Sequence, residues 1–225
     1  MKKRFRNNLS FNTNYTWSHS IDDAPPNFSA YQDDHNPRAD YGNSDFDVRH
    51  NLEVDAGYAF PSIPHVWKPL VSGWQYNTIT QVRSGFPYSV YCGCDPVGVG
   101  QATSRADVVP GVAIRPKDYS VPLNQINLAA FTTPIGHFGD SRRNQIYGPR
   151  AVNFDMSLFR SFPVFDKQQV TFRAEAFNIF NHPQFSNPQN SLTNPSQFGQ
   201  STSTLSTQTG FHTSRQIQFA LRYSF

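Results

Sequence analysis

From Arg215 to the last residue, apolar and polar positions alternate without a break: Ile217, Phe219, Leu221, Tyr223 and Phe225 against Gln216, Gln218, Ala220, Arg222 and Ser224. Successive side chains of a strand point to opposite faces, so residues 215–225 are predicted as a strand with one aromatic-weighted apolar face and one polar face. The same period marks earlier segments. Residues 9–17 set Leu9, Phe11, Tyr15 and Trp17, with Thr13, against Ser10, Asn12, Asn14 and Thr16. Residues 51–60 place Leu52, Val54, Ala56, Tyr58 and Phe60 on one face. Residues 70–83 oppose Trp74, Tyr76 and Val82 to Gln75, Asn77, Gln81 and Arg83, with Ile79 on the polar side. Residues 151–162 carry Val152, Phe154, Met156, Leu158 and Phe162, and residues 168–180 set Val170, Phe172, Ala174 and Ala176 against Thr171, Arg173 and Glu175. Such faces suit two solvents. In a soluble sandwich the apolar face meets a core, and in a membrane barrel it meets lipid while the polar face lines a wet lumen.

The connections choose between them. Residues 18–50, with Asp22, Asp23, Pro25, Pro26, Asp33, Asp34, Pro37 and Gly42, hold no sustained period and are predicted as a long loop. Residues 84–150 dissolve into Pro, Gly, Asp and short apolar pieces and form the longest loop, with 86–91 open as an extension of the strand before it. Residues 181–214, rich in Asn, Ser, Thr, Gln and Pro, form another. The remaining links are short, one broken by Pro61, Pro64 and Pro69, the other at 163–167. Long and short links therefore alternate, as in outer-membrane barrels with short turns on one side and longer loops on the other. Each strand is near the ~9–11 residues that a tilted strand needs to cross hydrocarbon. The expected fold is all-β: an antiparallel transmembrane β-barrel segment of about six strands with long extracellular loops, too few for the ~8 of the smallest closed barrels.

Composition agrees. Of 225 residues 15% are aromatic, with Phe 20 and Tyr 10, which favours strands over helices. No run of 18 apolar residues occurs, so a helical span is excluded. The net charge of +3, spread along the chain, makes no nucleic-acid footprint. Two cysteines, Cys92 and Cys94, supply no disulfide framework. The basic residues 1–8 are followed by alternation and not by an apolar signal core, so either the membrane reading is wrong or the true N-terminus, with its signal peptide, lies upstream.

Several phrases together resemble the C-terminal barrel of TonB-dependent receptors of the Oar-like group. They are Asn14-Tyr-Thr-Trp-Ser-His-Ser-Ile-Asp-Asp23, Asp47-Val-Arg-His-Asn-Leu52, Gly73-Trp74 leading to Arg83-Ser-Gly-Phe-Pro-Tyr88, and Asn144-Gln-Ile-Tyr-Gly-Pro149. Asn153-Phe-Asp-Met-Ser-Leu158, Arg173-Ala-Glu-Ala-Phe-Asn-Ile-Phe-Asn-His-Pro183 and the closing Tyr-x-Phe of the last strand complete the set. The resemblance implies a receptor of the Gram-negative outer membrane, of which residues 1–225 are the C-terminal part, plugged by an N-terminal domain and energised through TonB. It also implies that the barrel-assembly machinery reads the last strand, with Ile217, Phe219, Leu221, Tyr223 and Phe225 facing lipid. The aromatic residues near strand ends, Tyr15, Trp17, Tyr58, Phe60, Trp74, Phe162 and Phe180, are candidates for interfacial girdles, or for a core if the chain is soluble.

Candidate chemistry is thin. Asp22, Asp23, Asp33, Asp34 and His35 could gather round a hard cation, but Asp is also the ordinary residue of turns, and no metal is expected. Cys92 and Cys94 lack a second thiol pair at zinc spacing and suggest a local disulfide or an unpaired dithiol. Asp47, His50 and Glu53 cluster without a nucleophile, and His182-Pro183 reads as a turn, so no catalytic role and no cofactor are expected. Three functions follow, in descending order: part of a TonB-dependent transporter importing a small nutrient, an adhesin-like or structural surface receptor without import, and a soluble all-β binding module.

Overall fold

The computed structural model describes residues 2–4, 8–24, 31–61, 72–165, 168–205 and 210–225. Its main element is a seven-stranded antiparallel sheet: β1 (Lys2–Arg4), β2 (Leu9–Trp17), β3 (His50–Ala59), β4 (Gln75–Arg83), β5 (Ala151–Pro163), β6 (Gln169–Phe177) and β7 (Gln216–Ser224). Each strand lies beside its neighbour in the chain, the up-and-down order that hairpin connections produce. Six strands match the alternating segments. β1 is an addition, because three residues are too few for a period to show. β4 begins at Gln75 rather than at residue 70, after Gly73 turns the chain with a φ of 80°. Residues 70 and 71, Pro25, Pro26, Pro64, Pro69 and Lys167, assigned above to a strand or to connections, lie outside the described residues.

Register carries the alternation across the whole sheet. One row runs Leu9, Tyr58, Tyr76, Leu158, Ala174, Phe219, and the next on the same face runs Phe11, Ala56, Thr78, Met156, Ala176, Ile217. The opposite face carries Ser10, Gly57, Asn77, Ser157, Glu175, Gln218 in one row and Asn14, Glu53, Gln81, Asn153 in another. Ile79 stays on the polar face, between Asp55 and Asp155. Nothing among the described residues covers the apolar face: Phe219 is 71% and Leu221 75% exposed. In a sandwich these side chains would be core. A nine-residue strand runs ~30 Å at ~3.3 Å per residue, so a tilt of ~40° makes it span ~23 Å, close to the ~25 Å apolar band of outer-membrane barrels.

The buried core lies elsewhere, in the three connections at one end of the sheet. The chain leaves the sheet at this loop end after Trp17, Arg83 and Phe177, and at the other end after Ala59 and Pro163. Tyr88, Val90, Ala106, Ile126, Ala130, Phe131 and Phe198 pack together there, with the rings of Phe131 and Phe198 6.1 Å apart. The predicted long loops are ordered and carry short pairings of their own. Ile21–Asp22 pairs with Gly42–Asn43, Pro87–Tyr88 with Ile146–Tyr147, and Asp107–Val108 with Phe131–Thr132. Residues 86–91 accordingly do not prolong β4. Between Arg83 and Phe86 the chain passes so close to Gly148 that a Cβ on Gly85 would stand 2.2 Å from its carbonyl oxygen, which only glycine permits.

Candidate functional site

The predicted aromatic positions divide between the two ends of the apolar face. Tyr15 and Trp17 lie at the loop end of β2. At the turn end, Tyr58 meets Phe60 edge-on at 5.0 Å, Trp74 meets Phe162 at 6.5 Å and Phe172 at 6.1 Å, and Tyr223 lies 6.0 Å from Phe225. Ile217, Phe219 and Leu221 occupy β7 between these ends, and the Phe219 ring stacks on Phe172 at 6.2 Å. Phe180 is not a strand residue as predicted. β6 stops at Phe177, and Asn178 and Asn181 take positive φ, bringing the Phe180 ring back to 5.1 Å from Phe154. The sequence reading passed over Arg160. It shares the apolar face with Phe172 and Leu221, and its guanidinium lies 4.5 Å from the Phe162 ring centre and 5.9 Å from that of Trp74. The aromatic partners screen the charge while the stem adds apolar area.

On the polar face, side chains hydrogen-bond both across and along the strands. Asn12 Nδ2 donates to Asp55 at 2.9 Å, Asn153 Nδ2 to Asp155 at 2.8 Å, and Gln218 Nε2 to Glu175. Asp155 also accepts from the Asn178 amide at 2.8 Å, and the Asn178 side chain holds the His182 and His212 carbonyls at 2.9 and 3.0 Å. His182 thus stands in a turn organised by Asn178, as its sequence suggested.

The loop end is tied together by buried ion pairs that sequence reasoning missed. Arg105, 3% exposed, pairs with Asp40 and donates to the carbonyls of Ser141 and Ala39, each at 2.8 Å. Gln32 bridges the same loops, donating to the Gly139 carbonyl at 3.0 Å and accepting from the Arg105 amide at 2.8 Å. Arg143 pairs with Asp22 and lies 3.4 Å from Asp45. Asn43 and Asn144 exchange side-chain-to-carbonyl hydrogen bonds at 2.8 Å in both directions. The only signal in the sequence was that Asp47-Val-Arg and Asn144-Gln-Ile-Tyr recur among the recognised phrases. In three dimensions they meet: Arg49 Nε donates to Asp47 at 2.7 Å, and the Tyr147 hydroxyl donates to the same carboxylate at 2.7 Å.

Burial pushes the Asp47 carboxyl up, but the Ser20 amide, the Tyr147 hydroxyl and the Arg49 guanidinium outweigh it and hold its pKa below the ordinary value. Asp22 is likewise lowered, burial being overcome by Ser44 and Arg143. Burial raises the Tyr88 and Tyr91 hydroxyls, which keeps both neutral at physiological pH.

The grouped sequence candidates do not converge. His50 Nδ1 meets the Tyr15 hydroxyl at 2.8 Å, Asp47 belongs to the Arg49 cluster, and Glu53 lies in the Asn14 row of the polar face. Asp33 accepts from the His35 amide at 2.9 Å and Asp22 from the Ala24 amide at 3.1 Å, so both carboxylates serve turns. Of the two thiol states left open, the disulfide is found, with Cys92 and Cys94 joined at 2.04 Å.

Clefts open in this loop assembly, two of them of substantial size. One of about 620 Å³ is lined by Ser84, Arg115, Tyr119, Arg150, His182 and Phe185, among others. The second, of about 570 Å³, lies between Phe46, Tyr88, Tyr91, Asn144 and Asn190. Both have sizes suited to small-molecule binding. A family model described as outer membrane beta barrel domain matches residues 1–218, reaching from β1 into the start of β7. No curated protein and no solved structure matches the chain.

Proposed function

The chain belongs to the outer membrane beta barrel domain family and resides in the cell outer membrane, and from that premise we propose that it is the C-terminal part of a TonB-dependent, Oar-like receptor that imports a small nutrient. The observation that carries this reading is the ordered loop assembly. Three loops pack at one end of the sheet, two of them cross-tied by Arg105 to Asp40 and Arg143 to Asp22 and the third joined through Asn190 to the Ser89 carbonyl, and clefts open among them. Ordering so much chain costs conformational entropy, an expense that a bare pore does not require.

The open edges of the sheet support placing this chain in a larger receptor. The outer strands of the described sheet, β1 and β7, pair with nothing on their far sides, and lipid does not tolerate open edges. Further strands of a longer protein would close the wall, and its plug would contact TonB. Ile217, Phe219, Leu221, Tyr223 and Phe225 would face lipid, and the assembly machinery would read their strand. Tyr15, Trp17 and Phe180 would sit at one interface, with Tyr58, Phe60, Trp74 and Phe162 at the other. No catalytic group, cofactor, metal or nucleic acid enters this reading. The soluble-module alternative fails on membership of the family and on the uncovered apolar face.

The test compares growth of strains lacking the receptor or lacking TonB, with ferric chelates, cobalamins, oligosaccharides and peptides as sole nutrients. A shared defect on one nutrient, restored by the full receptor but not by a receptor without residues 101–140, is the expected result. Wild-type growth of the receptor-deficient strain on the nutrient that its purified protein binds would leave a surface receptor without import.

A further inference from the structure

The larger cleft stands over the lipid-facing side of the sheet, and we propose that it holds the phosphate-bearing headgroup of an outer-leaflet lipid. This rests on residence in the membrane and not on nutrient import. Register places the cleft on that side. Ala151 pairs with Arg83, so Arg150 and Ser84 come one step beyond, on the face of Val152 and Val82. On its other flank Ser84 keeps the register of β4 against β3, its amide donating to the His50 carbonyl at 3.0 Å. Arg150 and Ser84 both line the cleft, which places its floor at the rim of the apolar face.

The height agrees. Val82 and Val152 share their row with Leu52 and Tyr15, and the Tyr15 hydroxyl meets His50 Nδ1 at 2.8 Å. Tyr and Trp near strand ends mark the level where apolar chains give way to headgroups. The cleft begins at that level.

Its chemistry fits the same ligand. Arg115, Arg150 and His182 line it, with no Asp or Glu among the lining residues. The Arg115 guanidinium lies 4.5 Å from the Tyr119 ring centre, a stacking that leaves its N–H edge free to donate. Guanidinium groups bind phosphate oxygens in pairs. Val121, Pro149, Pro183 and Phe185 complete the wall, which suits an amphiphile better than a small inorganic anion. A volume of about 620 Å³ exceeds what one phosphate fills and accommodates a sugar phosphate.

The experiment uses the full receptor in nanodiscs that contain either a phosphorylated outer-leaflet glycolipid or its dephosphorylated form. Lipid retained after detergent exchange is counted by native mass spectrometry. The wild type is expected to retain the phosphorylated lipid and release the other, and R115Q and R150Q each to weaken retention about tenfold or more. Both side chains are solvent-exposed, and heat-modifiable mobility on gels confirms that each variant is folded. Equal retention by the double variant, or equal retention of both lipids, overturns the proposal. Inorganic pyrophosphate is added as a soluble probe. Competition with the lipid supports the shared phosphate chemistry. Pyrophosphate binding that needs Arg115 and Arg150 while lipid retention does not would reassign the cleft to a soluble anion and overturn the lipid assignment.

Discussion

Gln184 takes the place of a strand beside Val152. Its side-chain carbonyl accepts from the Val152 amide at 2.8 Å, and its Nε2 donates to the Val152 carbonyl at 2.5 Å, with the side chain fully buried. β6 pairs with β5 only from Met156 onward, so Val152 would otherwise lack a partner on that flank. Gln184→Leu should therefore cost ~2–4 kcal/mol, since each buried backbone group left unsatisfied costs ~1–3 kcal/mol. Denaturant unfolding of the full receptor in micelles reads this directly; a loss below ~0.5 kcal/mol would show that the pairing is incidental.

A charge placed in β7 distinguishes its two faces. Leu221→Arg should destabilise the folded barrel by ~2–4 kcal/mol, whereas Gln218→Arg, beside Glu175 on the polar face, should change it by less than ~1 kcal/mol. The comparison is made by equilibrium unfolding into lipid vesicles. Equal effects at both positions would contradict the assignment of Leu221 to lipid.

The Arg105–Asp40 pair should be costly to break and cheap to replace. Asp40→Asn is expected to cost ~3–5 kcal/mol, because Arg105 would stay charged and buried, with only the Ser141 and Ala39 carbonyls to hold it. Arg105→Met with Asp40→Leu should cost less than the sum of the single changes. Limited proteolysis of the loop assembly in a double-mutant cycle measures the coupling, and strict additivity would show that the pair is not a unit.

Acid should loosen the loop end before the sheet. Asp22 and Asp47 have folded pKa values below the ordinary 3.8, so their contribution is fully present above 3.8 and is lost as pH falls through the lowered values. Protease susceptibility of the loops should rise below pH ~4. Asp47→Asn should flatten that rise while lowering stability at neutral pH; an unchanged acid profile in this variant would exclude Asp47 as a source of the dependence.

Much of the sheet was legible because a strand has a period of two and a membrane rewards its strict use. Every apolar position assigned to β3, β5 and β7 lies on one continuous face, and even Ile79, the exception, stays on the side its parity gives. The strand ends were less legible. Phe180 continues the aromatic run of β6, but the positive φ of Asn178 is a choice of backbone region that no pattern announces. Cys92 and Cys94 gave two open states, and only their geometry in the loop joined them.

The sequence by itself determined the class, the apolar and polar faces, and the alternation of long and short connections, because each depends on local period and on turn residues. The loop assembly was decided by tertiary structure alone. Its core joins Tyr88 to Ile126, Phe131 and Phe198, and its ties join Gln32 to Arg105 and Gly139, across separations with no repeating spacing. Such contacts are selected by the close packing of loops that the sheet brings to one end, a property of the assembled chain that no window of residues contains.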